Sequence, residues 1–180
     1  MKKIIHFLTF SRIFLAPLLF LLIAYFNFFG WALIIIIFAS ISDYLDGYLA
    51  RKYNLTSILG EILDPIADKI LIAFGLIGLG ILLESVFIGA LTGIILTREL
   101  WVSALRDMNA RAGNENATRV TLLAKTKTTL QMFSISFYLF ALYLNNALFI
   151  FTSDLVLLLA AVVTIKTGIS YTMASFRNMH

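Results

Sequence analysis

The chain has 180 residues, 61% of them hydrophobic and 13% charged, with no cysteine and a formal net charge of +4. So apolar a composition excludes an ordinary soluble domain. The lack of cysteine excludes a disulfide framework, a thiolate nucleophile and a thiolate metal site.

Taken in chain order, apolar runs of membrane-crossing length recur from end to end, and in lipid such runs must be helical because every backbone polar group has to be satisfied within its own segment. Six helices are predicted, over residues 8–27, 31–52, 60–83, 86–107, 120–145 and 153–175, forming one bundle and a single domain across 1–180. The first run follows Met1, Lys2 and Lys3 but has no small-residue cleavage site, and more spans follow it, so it reads as a retained helix rather than a secretory signal. Lys2, Lys3, Arg51, Lys52, Arg106, Arg111, Arg119 and Arg177 fall at one set of helix ends or loops. The alternate connections near residues 28, 84 and 148 contain no Lys or Arg. The positive-inside bias then puts both termini, and the loops after the second and fourth helices, in the cytoplasm of a bacterial-type inner membrane. The basic side faces anionic lipid head groups and phosphorylated metabolites. No basic and aromatic pattern points to nucleic acid.

The second and third helices carry the chemistry. Asp43, Asp46, Gly47 and Ala50 follow helical offsets that place two carboxylates and two small residues on one stripe, and Asp64 and Asp68 stack four apart on the next helix. A short loop joins the two helices, so the pairs can face each other at one depth. Four carboxylates gathered at a membrane boundary repel each other and lose solvation. Two divalent cations would cancel their formal charge, and hard oxygen ligands suit Mg²⁺ or Mn²⁺. Such a site fits phosphoryl chemistry. Gly47 and Ala50 would let a ligand approach the backbone, and Arg51 offers a permanent cation for phosphate. The plainer alternative is four interfacial acids, solvated or paired with Arg51, Lys52 and Lys69.

The frame Asp43-x2-Asp46-Gly47-x2-Ala50-Arg51-x8-Gly60-x3-Asp64-x3-Asp68 resembles the complete signature of the CDP-alcohol phosphatidyltransferases. The resemblance implies a six-helix membrane fold, usually a homodimer, and a reaction in which an alcohol hydroxyl attacks the lipid-bearing phosphorus of a CDP-linked lipid and expels CMP. It also implies that Asp43, Asp46, Asp64 and Asp68 hold two Mg²⁺ or Mn²⁺ ions, with Asp68 the base that takes the hydroxyl proton. Gly47, Ala50, Arg51 and Gly60, with Ser57 of the intervening loop, would border the CDP group.

Three further segments, "HFLTFSRIFLAP", "TRELWVSALRD" and "AKTKTTLQM", resemble the branch of the family that uses sn-glycerol 3-phosphate, implying CDP-diacylglycerol as donor and phosphatidylglycerophosphate as product. Arg98, Arg106 and Lys125, in the cytoplasmic parts of helices four and five, are the expected ligands of the acceptor phosphate. The two arginines have alternatives: an ion pair with Glu99 for Arg98, and a snorkelling role for Arg106. Lys127, two positions from Lys125, points to another side and is expected to snorkel. His6 and Ala124 stand where the family usually has Asn and Gly. Lys166 is open between snorkelling, pairing with an acid and binding an anion. Other readings remain at this stage: phosphatidylglycerol as acceptor, which would make cardiolipin, or inositol phosphate. A divalent-cation transporter is the reading from another class, and it leaves Gly47, Ala50 and Arg51 without a task.

Overall fold

The structure, a computed structural model, describes residues 2–53, 58–113 and 122–177, with the side chains of 2–8, 44, 46–47, 49–51, 53, 58–62 and 122–125 outside the description. Among the described residues the chain is helical, in the order α1 (Lys2–Ala24), α2 (Phe29–Tyr53), α3 (Ile58–Leu82), α4 (Val86–Arg111), α5 (Leu122–Tyr143) and α6 (Ala147–Arg177). The six predicted helices are therefore present. The largest differences lie at chain-end helices: α1 begins at Lys2 rather than residue 8, and α6 begins at Ala147 rather than residue 153.

Short turns reverse the chain after α1, α3 and α5, and each uses a left-handed residue: Asn27, Glu84 and Asn145, with φ of 57°, 46° and 50°. After α3 and α5 the turn closes as a Schellman motif. The Ser85 N–H reaches back to the Gly80 carbonyl (3.1 Å) and the Asn146 N–H to the Ala141 carbonyl (3.1 Å). Ser85 then caps α4 by accepting a hydrogen bond from the Ile88 N–H. Asn tolerates the left-handed region better than Glu does, so Glu84 is the more strained of these turns.

α3 is the central helix, packing on α1, α4 and α5. Its buried Leu71, Leu76 and Leu79 meet Leu19 and Ile23 of α1, Ile36 of α2, Ile95 of α4 and Ile135 and Leu139 of α5 in one apolar cluster. Small residues let the backbones approach, as is usual where helices pack in lipid: a Cβ on Gly75 would lie 3.1 Å from Ile135 Cδ1. The outward faces are apolar as well. Phe14, Tyr25, Trp31, Val86, Leu100 and Met173 are largely exposed, a surface that suits hydrocarbon and not water. By length and composition Leu63–Leu82, Val86–Arg111 and Ala147–Arg177 can each cross a membrane, while Thr9–Ala24 and Phe29–Asp43 are shorter apolar helices.

Because consecutive helices run antiparallel, the N-terminal parts of α1, α3 and α5 and the C-terminal parts of α2, α4 and α6 lie at one end of the bundle. The buried charged residues gather there, Arg12, Arg98, Glu99 and Lys127, together with the polar Thr9, Gln131 and Thr167. The apolar cluster fills the remainder.

Candidate active site

At this polar end α1 brings in Thr9 and Arg12, α2 brings Asp43, and α3 brings Asp64 and Asp68. The Arg12 side chain is fully buried, and its Nη1 donates to Asp43 Oδ1 at 2.6 Å and to Asp68 Oδ1 at 2.7 Å. Its Nη2 reaches Asp64 Oδ1 at 3.4 Å, and that oxygen also accepts from the Thr9 hydroxyl at 2.6 Å. One guanidinium therefore faces three carboxylates. The formal balance of this group is +1 against −3, leaving −2. A guanidinium keeps its charge at any working pH, so the deficit is met either by further cations or by protonation of a carboxylate.

Among the described residues no three acidic side chains are arranged to enclose a metal ion; Arg12 lies at the point where the carboxylates converge. The donor set nevertheless fits the metals that the sequence implies. It is made only of hard oxygens, it converges on a positive group, and its remaining negative charge is that of one divalent ion.

A cavity of about 230 Å³ opens beside these acids, lined by Asp64, Asp68 and Lys69 of α3, Arg98, Glu99, Ser103 and Arg106 of α4, and Lys127 and Gln131 of α5. Here the signs are inverted. Glu99 is one carboxylate among four cations: it pairs with Arg98 Nη1 at 3.0 Å and with the Lys127 ammonium, while Lys69 donates to the Ser103 hydroxyl. Arg98 is held from α6, where its Nη2 donates to Thr167 Oγ1 at 2.8 Å. Gly168 leaves room for its stem, since a Cβ there would stand 2.9 Å from Arg98 Cγ. Tyr171 offers its ring to both arginines, 5.7 Å from Arg98 Cζ and 5.4 Å from Arg106 Cζ. The Nε atoms of Arg98 and Arg106 are buried with no hydrogen-bond partner among the described residues, and buried donors of this kind suit an anionic ligand.

The structure brings Asp43, Asp64 and Asp68 together as the helical spacing predicts. Asp46, Gly47, Ala50, Arg51 and Gly60 lie on α2 and α3, but their side-chain positions fall outside the described residues, as do those of His6, Ala124 and Lys125; Ser57 lies outside them entirely. Arg98 and Arg106 both line the cavity. The Arg98–Glu99 ion pair weighed as an alternative to phosphate binding is present, so Arg98 already has a carboxylate partner, whereas Arg106 stands in no ion pair among the described residues. Lys127 does not snorkel. It is buried and turned toward Glu99, because the face of α5 that carries it packs inward. Lys166 is exposed on α6, in no ion pair among the described residues. Sequence reasoning gave no role to Arg12 and no place in the acceptor site to Lys69. For Arg12 a signal existed: a permanent cation inside an apolar run is costly unless something pairs with it.

Comparison with known proteins agrees with this arrangement. Residues 4–167 match the CDP-alcohol phosphatidyltransferase family model. Among curated proteins, the CDP-diacylglycerol–glycerol-3-phosphate 3-phosphatidyltransferase of Rickettsia typhi is 36% identical over 174 residues, covering 95% of this chain and 96% of the relative. Its counterpart in Rickettsia bellii is 40% identical over 139 residues, covering 77% and 75%, and that of Salmonella choleraesuis is 31% identical over 172 residues, covering 93% and 92%. With the match spanning nearly its whole length and the motif carboxylates converging at one end of the bundle, the chain belongs to the CDP-alcohol phosphatidyltransferase family.

Proposed function

We propose that this protein transfers the phosphatidyl group of CDP-diacylglycerol to sn-glycerol 3-phosphate, releasing CMP and forming phosphatidylglycerophosphate. The observation that carries the reading is the shared cavity, in which Asp68 of the acidic group and the cations Lys69, Arg98, Arg106 and Lys127 line one small space. An acceptor with a phosphate at one end and a hydroxyl at the other matches that polarity. Its dianion sits among the cations and its hydroxyl is directed toward Asp68. At about 230 Å³ the cavity has room for a three-carbon phosphate. The names of the relatives, each a glycerol-3-phosphate 3-phosphatidyltransferase, support the same acceptor.

In the reaction the acceptor oxygen forms a bond to the lipid-bearing phosphorus, the bond from that phosphorus to the CMP oxygen breaks, and the hydroxyl proton passes to Asp68. Asp43, Asp46, Asp64 and Asp68 would hold the divalent ions. Bound there, divalent ions would supply positive charge to hold the donor diphosphate and to offset the charge that develops on the departing CMP. Thr9 and Arg12 orient the carboxylates of Asp64, Asp43 and Asp68. Glu99 keeps Arg98 and Lys127 close together despite their like charge, and Tyr171 backs the two arginines. Gly47, Ala50, Arg51, Ser57 and Gly60 border the CDP group. The described helices and the one-sided distribution of basic residues support six spans, with both termini and the cavity at the cytoplasmic face of the inner membrane; that the protein works as a homodimer is what the family resemblance implies.

A panel of acceptors tests the assignment. Purified protein is given CDP-diacylglycerol and Mg²⁺ with sn-glycerol 3-phosphate, glycerol, phosphatidylglycerol or inositol phosphate, and the lipid product is identified by mass. Phosphatidylglycerophosphate from the first acceptor, with little product from the others, is the expected result. Efficient product from glycerol or phosphatidylglycerol instead would remove the acceptor assignment.

A further inference from the structure

We infer that Arg12 is a built-in counter-cation for the acidic cluster, holding Asp43, Asp64 and Asp68 together before a divalent ion arrives and competing with that ion for the same carboxylate oxygens. The inference rests on the metal-dependent reading above.

Three observations carry it. Arg12 is completely buried, so its charge is not there to meet solvent or lipid head groups. A single nitrogen, Nη1, donates to one oxygen of Asp43 at 2.6 Å and one of Asp68 at 2.7 Å, across α2 and α3. Those two acids come from different helices, and when both are ionised they repel each other unless a cation lies between them. Finally, a guanidinium has no lone pair to offer and cannot lose its proton in a protein. It therefore cannot serve as a metal ligand, and a divalent ion drawing on Asp43 and Asp68 has to displace Nη1 or share oxygens with a like charge. Both lower the affinity for metal. In return the empty site stays assembled, and the ion is held loosely enough for binding to respond to the arrival of the anionic donor, which adds negative charge to a site whose balance Arg12 has made more positive.

The test uses the full chain in detergent without lipid substrate. Mn²⁺ binding is titrated by the paramagnetic resonance of the free ion, and thermal unfolding is followed by circular dichroism in EDTA and in saturating Mn²⁺. Arg12→Met is expected to bind Mn²⁺ at least about tenfold more tightly than the wild type, to melt earlier in EDTA, and to recover most of that loss when Mn²⁺ is added. Arg12→Gln, which removes the charge but keeps a donor, is the second variant; it should shift Mn²⁺ affinity in the same direction even where Arg12→Met does not fold in EDTA. Unchanged or weaker Mn²⁺ binding in a folded Arg12 variant overturns the competition. Mn²⁺ binding to neither the wild type nor the variants overturns the competition, and if it is absent also when the titration is repeated with CDP-diacylglycerol, the metal reading itself falls; binding to the variants alone supports the role of Arg12 in its strongest form.

Discussion

The two ends of the cavity are built on opposite plans. At the acidic end one arginine, Arg12, faces three aspartates; at the basic end one glutamate, Glu99, pairs with Arg98 and Lys127 in a cavity that Lys69 and Arg106 also line. In each case a single buried group of the minority sign holds together side chains that would otherwise repel, and in each the remaining charge is opposite to that of the ligand to come: negative where cations are needed, positive where a phosphate is needed. Pairing to full neutrality would have made either end more stable by itself and less able to bind. The difference teaches that the two ends carry separable tasks, metal and donor on one side and acceptor on the other, with Asp68 at the seam.

The comparison is broken most severely at the seam. Asp68→Asn keeps a hydrogen-bond acceptor for Arg12 but removes the base. CMP release should fall about 10²- to 10⁴-fold while labelled CDP-lipid still binds, and turnover near the wild-type rate would take Asp68 out of that role. Next in size is Glu99→Gln, which leaves Arg98 and Lys127 buried without their carboxylate. Loss of one partner from such a group costs on the order of 3 kcal/mol, so the melting temperature should drop. Saturating glycerol phosphate should restore part of the loss by supplying the missing negative charge. If the ligand gives no more protection to this variant than to the wild type, the phosphate does not sit beside Glu99.

The aspartates were legible in the sequence because their spacing is local. Offsets of three and four fix a common face before anything is known of the tertiary structure. Arg12 was not, since its partners lie 31, 52 and 56 positions away and nothing near it in sequence signals that three helices converge upon it. The two lysines of α5 show the same limit from another side. Their separation of two positions puts them on different faces, but only the packing of α5 against α3 and α6 determines which face is inward, and it is that of Lys127. The helices were legible from hydropathy. The starts of α1 and α6 were not: helix runs through Lys2 and Lys3 ahead of the first apolar run, and α6 takes in apolar residues 147–151 and continues through the polar Thr152, Ser153 and Asp154.

Two smaller changes sharpen the contrast, one at each end. Thr9→Val removes the hydroxyl that donates to Asp64 at 2.6 Å. A hydrogen bond to a charged group contributes about 1.5 kcal/mol, so the Mg²⁺ concentration for half-maximal activity should rise roughly tenfold, with the KM for glycerol phosphate unmoved. Gly168→Ala presses a methyl against the Arg98 stem. At about 1 kcal/mol of overpacking, the KM for glycerol phosphate should rise roughly fivefold, with the Mg²⁺ requirement unmoved. A shift in the metal requirement from Gly168→Ala, measured by the same titration, would show that the ends are mechanically linked.

The division of tasks is tested most directly by crossing Asp43→Asn with Arg106→Ala in steady-state assays that vary Mg²⁺ and glycerol phosphate independently. The account predicts that Asp43→Asn raises the metal requirement alone, that Arg106→Ala raises the acceptor KM alone, and that the double variant shows both shifts undiminished. If both single variants move the same parameter, the cavity does not have two ends with separate work.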